Sequence, residues 1–277
     1  MSKRRVLAAG ILIGICVSLA AVFFIKSYLD YSEYDTGDDS YRELFEEVTR
    51  DDGIDETSHN SDNLKDSGNS PDPLPLSGSD AEDTENISDA ILPEIDFKKL
   101  SKINSDIAAW LYAPGTPINY PVVQCADDEY YLNHLFDGTK NKNGCLFIEQ
   151  KNRADFSDDN TIIYGHNMAS GSMFAELLEY KDPSYAKEHP YLYLITEDAS
   201  YRIEVFSAHV TEPESDAYDI RLGTADNFRA WILKMADRSS FSANMKMTTK
   251  ERIITLSTCS YEYKNARFVV HGRLVKM

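Results

Sequence analysis

The run Ile253-Ile254-Thr255-Leu256-Ser257-Thr258-Cys259 ends on a cysteine, and eight residues later Arg267 opens the run Phe268-Val269-Val270-His271-Gly272-Arg273-Leu274. A third apolar run ends at Tyr164-Gly165-His166-Asn167. A thiol, a guanidinium and an imidazole therefore stand at the ends of strand-like runs. A thiolate attacks acyl carbons, and a neighbouring cation lowers the thiol pKa. A guanidinium can also hold a developing oxyanion, and an imidazole can carry the proton. Together they are equipment for covalent chemistry on an acyl group.

The elements that must position these groups follow from periodicity. Strand-like runs cover 110–113, 118–124, 144–150, 161–165, 191–196, 201–210, 252–259 and 268–275. Helix-like stretches fall at 129–135, 173–180 and 225–236, and Phe97, Leu100 and Ile103 have helical spacing. Short strands separated by turn signals favour a barrel or sandwich over a doubly wound sheet. If the last two strands pair as an antiparallel hairpin with Cys259 opposite Arg267, Ser257 faces Val269 and Thr255 faces His271. Residues opposite one another project from the same face, so thiol and guanidinium would share one end of the hairpin. Nothing in the sequence brings His166 to them. Spacing favours Arg267 over Arg273 as the site cation, and His271, His134, His189 and His209 read as structural or solvent-facing. Phe228 and Trp231 read as one packed helix.

Charge divides the chain. Residues 1–29 hold four basic and no acidic residues, residues 30–96 hold 22 acidic and 3 basic, and residues 97–277 are close to balance at net −3. No basic patch suggests a nucleic-acid surface. Residues 1–5 form a basic N-terminus, and the twenty-residue apolar run 6–25 is long enough to cross a bilayer as a helix. With basic residues before it and acidic ones after, a retained signal-anchor with the N-terminus inside and the rest outside is expected. Residues 26–94 read as an acidic, largely disordered tether, with a short amphipathic helix at 41–48, because so few apolar residues cannot offset ordering entropy. The folded domain is expected over 95–277. Beyond the span lie Cys125, Cys145 and Cys259, an odd number, so at least one thiol is unpaired within the chain. Cys145, inside Gly144-Cys145-Leu146-Phe147-Ile148, reads as a small buried hydrophobe rather than a disulfide partner. Metal-ligand spacings are lacking, and neither metal nor cofactor is expected.

Thr255-Leu256-Ser257-Thr258-Cys259 followed by Arg267, with Tyr164-Gly165-His166-Asn167-Met168 upstream, resembles the sortases, cysteine transpeptidases of Gram-positive surfaces. Ser170-Gly171-Ser172-Met173-Phe174, Asn104-Ser105-Asp106-Ile107-Ala108-Ala109-Trp110, Tyr120-Pro121-Val122-Val123-Gln124 and Tyr130-Tyr131-Leu132-Asn133-His134 are similar to class B. The likeness covers about 95–277. It implies a mainly β fold: an eight-stranded closed sortase barrel with N-terminal helices and a helix-bearing insertion before the cysteine strand. It implies Cys259 as nucleophile, His166 as proton carrier and Arg267 as oxyanion holder. Ser257, Tyr164 and Leu132 match substrate-binding positions, while Asp128 stands where some relatives carry Asn. The implied partners are surface proteins with a C-terminal sorting signal, a peptidoglycan precursor amine and, through the N-terminal helix, the membrane. Pilin polymerisation with a Lys acceptor is the near alternative. A papain-like cysteine hydrolase is disfavoured because its cysteine normally precedes its histidine, and an anchored wall-binding module would leave Cys259 as mere core.

Overall fold

The computed structural model describes residues 3–49, 91–243 and 251–277. Helix α1 (Lys3–Thr49) and the short α2 (Phe97–Ile103) precede eight strands: β1 (Ile107–Tyr112), β2 (Asn119–Val123), β3 (Leu146–Ile148), β4 (Asn160–Tyr164), β5 (Tyr191–Ile195), β6 (Ser200–Thr211), β7 (Arg252–Cys259) and β8 (Arg267–Lys276). Helix α3 (Pro183–Glu188) lies between β4 and β5, and α4 (Ala225–Arg238) between β6 and β7. The strands close a barrel in the order β1-β2-β3-β4-β7-β8-β6-β5, as expected. The helical expectations at 129–135 and 173–180 appear as 3-10 helices over Tyr130–Leu132 and Ala175–Lys181.

Period-two alternation builds two cores on opposite faces of one sheet. Ile254, Leu256, Phe268 and Val270 point into the barrel with Trp110, Leu146 and Ile163. Ile253 and Val269 point outward and are covered by Phe228, Trp231, Ile232 and Met235 of α4. Phe228 and Trp231 are thus packing residues, as the helical spacing suggested. Cys125 and Cys145 are both free thiols. Cys145 is buried, and burial pushes its pKa up to about 12.

The expected boundary at residue 95 needs correction. Helix α1 runs on through Thr49, and Tyr41, Leu44 and Val48 are buried against the barrel. Phe45 lies 5.8 Å from the Trp110 ring, and Asp96 N–H donates to Val48 O, joining the end of α1 to the start of α2. The spacing 41, 44, 45, 48 is a helical stripe. Burying each such side chain stabilises docking by about 1.5–3 kcal/mol, enough to override the acidic surroundings. Residues 50–90 of the expected tether lie outside the described residues, as do the side chains of residues 6–15 and 17 in the expected span. Among the described residues no helix is long and apolar enough to cross a membrane.

Between α4 and the barrel lies a buried polar seam. Thr255 Oγ1 donates to Asn160 Oδ1 (2.7 Å), so it accepts from His271 Nδ1–H (2.9 Å). Ser207 Oγ donates to Met235 O (2.6 Å), so it accepts from His209 Nδ1–H (3.4 Å). Both Nε2 atoms are buried without a partner, which suits neutral rings. Burial, with Arg238 nearby and Asp216 opposing, lowers the His209 pKa to about 4; burial, then His209 and Arg238, lowers that of His271. Unfolding frees both rings to bind protons near pH 6.5, so their stabilising contribution is complete above that pH and lost on acidification towards 4. From His209 alone, pH 5 should cost roughly 2 kcal/mol relative to pH 8. Thermal melts across this range should show the midpoint falling, with a shallower fall in His209→Asn; identical slopes in both proteins would contradict this assignment.

Candidate active site

Two pairings assemble the site at one rim of the barrel. β4 and β7 are parallel, with Tyr164 opposite Ser257. Parallel strands end at the same rim, so two residues further on His166 and Cys259 leave the sheet side by side. Gly165 N–H donates to Ser257 O (3.1 Å), extending the ladder towards His166. β7 and β8 are antiparallel in the expected register: Cys259 opposite Arg267, Ser257 opposite Val269 and Thr255 opposite His271. Cys259, His166 and Arg267 line one groove with Leu132, Tyr164, Ser257, Asp128, Glu149 and Phe147. All six residues singled out in sequence meet there.

His166 Nε2 lies 2.6 Å from Leu132 O. A carbonyl only accepts, so Nε2 carries the hydrogen. Nδ1 has no hydrogen-bond partner among the described residues. Arg267 Nη1 donates to Asn265 O and Ala266 O, both at 3.2 Å. It makes no ion pair among the described residues. Arg273, its competitor in sequence, is bound to Glu204 and Glu251 and belongs to a structural ion-pair cluster. The β7–β8 loop is pinned as well: Asn167 Nδ2 donates to Cys259 O (3.0 Å), and Glu262 accepts from both Lys181 Nζ and Ser260 Oγ. Those two hydrogen bonds, led by Lys181, lower the Glu262 pKa to about 2. A thiol, an imidazole and a guanidinium on one groove can attack an acyl group, move its proton and hold its oxyanion.

The Sortase domain family model matches residues 111–275. This chain belongs to the sortase family, in class B. Sortase B of Listeria monocytogenes is 36% identical over 194 residues, covering 69% of this chain and 78% of that protein. The crystal structure of Staphylococcus aureus sortase B superposes with a TM-score of 0.62 at 30% identity, covering 65% of this chain and 87% of that one. The Staphylococcus aureus sortase B–substrate complex gives the same score and identity over 65% and 85% of the two chains. This sortase is accordingly a cysteine transpeptidase.

The sequence reading of this sortase missed several groove neighbours. Tyr218 packs beneath α4, and its hydroxyl lies 2.8 Å from Ser257 Oγ, 6.2 Å ring to ring from Tyr164. Tyr164 donates to Glu149 Oε2 (3.0 Å), and Asp128 accepts from Gln150 N–H (2.7 Å). Burial, followed by the nearby Asp128 carboxylate, raises the Glu149 pKa. The groove thus carries a carboxyl pair as well as Arg267. No spacing signal announces Tyr218 or Glu149, because both reach the site through tertiary packing alone.

Proposed function

We propose that this sortase cleaves a C-terminal sorting signal after Thr and joins the released carboxyl end to a cell-wall amine, fixing surface proteins to peptidoglycan. Cys259 Sγ attacks the Thr carbonyl, and Arg267 holds the oxyanion. His166 Nδ1 takes the thiol proton and delivers it to the leaving amine as the C–N bond breaks, leaving a thioester. An incoming wall amine then attacks the thioester, gives its proton to Nδ1 and releases Cys259, which recovers the proton. Splitting one acyl transfer into two steps is what a covalent nucleophile does. The single observation that carries this reading is the meeting of Cys259, His166 and Arg267 on one groove, with Cys259 and Arg267 as a cross-strand pair. Leu132, Tyr164 and Ser257 are the substrate-binding residues in this reading.

The enzyme sits in the cell membrane with its N-terminus inside and its barrel outside. This is supported by the apolar run 6–25 and by the exposed Leu19, Val22, Phe23, Phe24, Ile25, Tyr28 and Leu29 on α1, side chains that a bilayer would cover. The test uses the full chain in detergent with sorting-signal peptides and hydroxylamine. A hydroxamate at Thr is expected, and a short peptide amine should replace hydroxylamine as acceptor. Acceptance of a Lys side chain and refusal of the peptide amine would favour pilin polymerisation. No cleavage after Thr in any peptide, with the barrel folded, would end the transpeptidation scheme.

A further inference from the structure

We propose that residues 33–41 of α1 hold His166 in its working position and tautomer, acting through the loop 141–145. This rests on His166 being the proton carrier, and it makes the N-terminal helix a positioning element of the active site rather than a leash.

The helix grips the loop residue by residue. Asn141 Nδ2 donates to Glu33 O (2.9 Å), and Lys142 Nζ pairs with Glu33 (2.9 Å). Asn143 Nδ2 donates to Tyr34 O (3.1 Å) and Asp38 Oδ1 (2.7 Å). The buried Tyr41 hydroxyl donates to Gly144 O at 2.5 Å. These contacts link positions more than 100 residues apart in sequence.

The other side of the same loop touches the histidine. Gly144 has φ +59°, and a Cβ there would lie 2.6 Å from Tyr131 O, 2.9 Å from Leu132 O and 3.1 Å from His166 Cδ2. The backbone can approach this closely only as glycine. Cys145 N–H donates to Tyr131 O (2.9 Å) and Asn141 N–H to Asn133 O (3.0 Å), so the loop brackets Leu132 on both sides. Leu132 O is the acceptor that fixes the His166 Nε2–H tautomer. Leu132 itself sits in a single-turn 3-10 helix with an exposed side chain, so its carbonyl is located by these neighbours.

A second path runs from the same helix segment. The Tyr41 ring packs 5.1 Å from that of Tyr120, whose hydroxyl accepts from Met173 N–H (3.1 Å). Phe174 N–H in turn donates to His166 O (2.8 Å). α1 therefore bears on the side chain of His166 through Gly144 and on its backbone through Met173 and Phe174.

The test compares wild type, Tyr41→Phe and Asp38→Ala as full chains in detergent, with peptide and amine acceptor. Misplacing a reacting group by about an ångström costs up to 10²-fold, so kcat should fall about tenfold in Tyr41→Phe, with peptide KM within about twofold. The histidine limb of the kcat/KM–pH profile should move. Imidazole nitrogen NMR of 15N-histidine-labelled protein should show His166 losing its fixed Nε2–H tautomer. Asp38→Ala should act in the same direction. Unchanged kcat, pH profile and tautomer in both variants, or a rise in KM alone, would overturn the proposal. A lower melting temperature with wild-type kcat would do the same, since it marks a merely structural contact. His166→Ala, measured in parallel, separates this outcome from failure of the catalytic scheme: loss of activity there leaves that scheme standing whatever Tyr41→Phe does.

Discussion

Replacing Cys259 with alanine is expected to abolish transfer, with a loss on the order of 10⁵-fold or more, because deleting the proposed covalent nucleophile would remove the reaction path rather than one of its supports. The substitution removes one sulfur atom at the end of β7, beside an open groove, where Cys259 is only partly buried. The strand's own packing lies in Ile254 and Leu256 within the barrel and Ile253 beneath α4. Melting temperature should therefore stay near that of wild type while peptide cleavage disappears. The check is product formation by chromatography beside a thermal melt. Loss of activity with loss of fold would reduce the cysteine to a core residue; persistent cleavage in a folded variant would remove it from the chemistry.

Arg267→Lys is expected to lower kcat by about 10²–10³-fold, the range seen when one donor to an oxyanion is lost. Lysine keeps the charge but offers a compact ammonium in place of a planar fork of five N–H donors. In the free enzyme Arg267 uses Nη1 on two carbonyls of its own loop, Asn265 O and Ala266 O. The rest of the fork remains available to the groove. Folding depends little on those exposed or half-buried bonds, so the variant should melt like wild type. Steady-state kinetics should place the loss in kcat with little change in peptide KM, since the oxyanion exists only in the transition state. Wild-type kcat in Arg267→Lys would leave its charge as a bystander, and a loss confined to KM would make it a substrate anchor.

The barrel was legible because each strand carries a local signature, and the β7–β8 hairpin because its partners are close in sequence. The register of Cys259 with Arg267 needs only alternation and one short loop. His166 was another matter. Its approach to Cys259 depends on the parallel pairing of β4 with β7, strands some 90 residues apart whose crossover no periodicity describes. Tyr218 was invisible for the same reason: it reaches Ser257 from the insertion before β7. The N-terminal boundary misled in a different way. Composition between residues 30 and 96 is dominated by 22 acids, and the four-residue stripe of Tyr41, Leu44, Phe45 and Val48 is too short to outweigh it in an average. Burial is decided residue by residue, and those side chains are where α1 meets the barrel.

The proposed thioester on Cys259 has a directly measurable mass. Full-length enzyme mixed with a sorting-signal peptide in the absence of amine, quenched in acid and digested, should yield the peptide spanning Cys259 heavier by the acyl fragment ending in Thr. Addition of the acceptor amine before quenching should discharge it as ligated product appears. Turnover with unmodified Cys259 at every time point, or an acyl group found on another residue, would contradict the account.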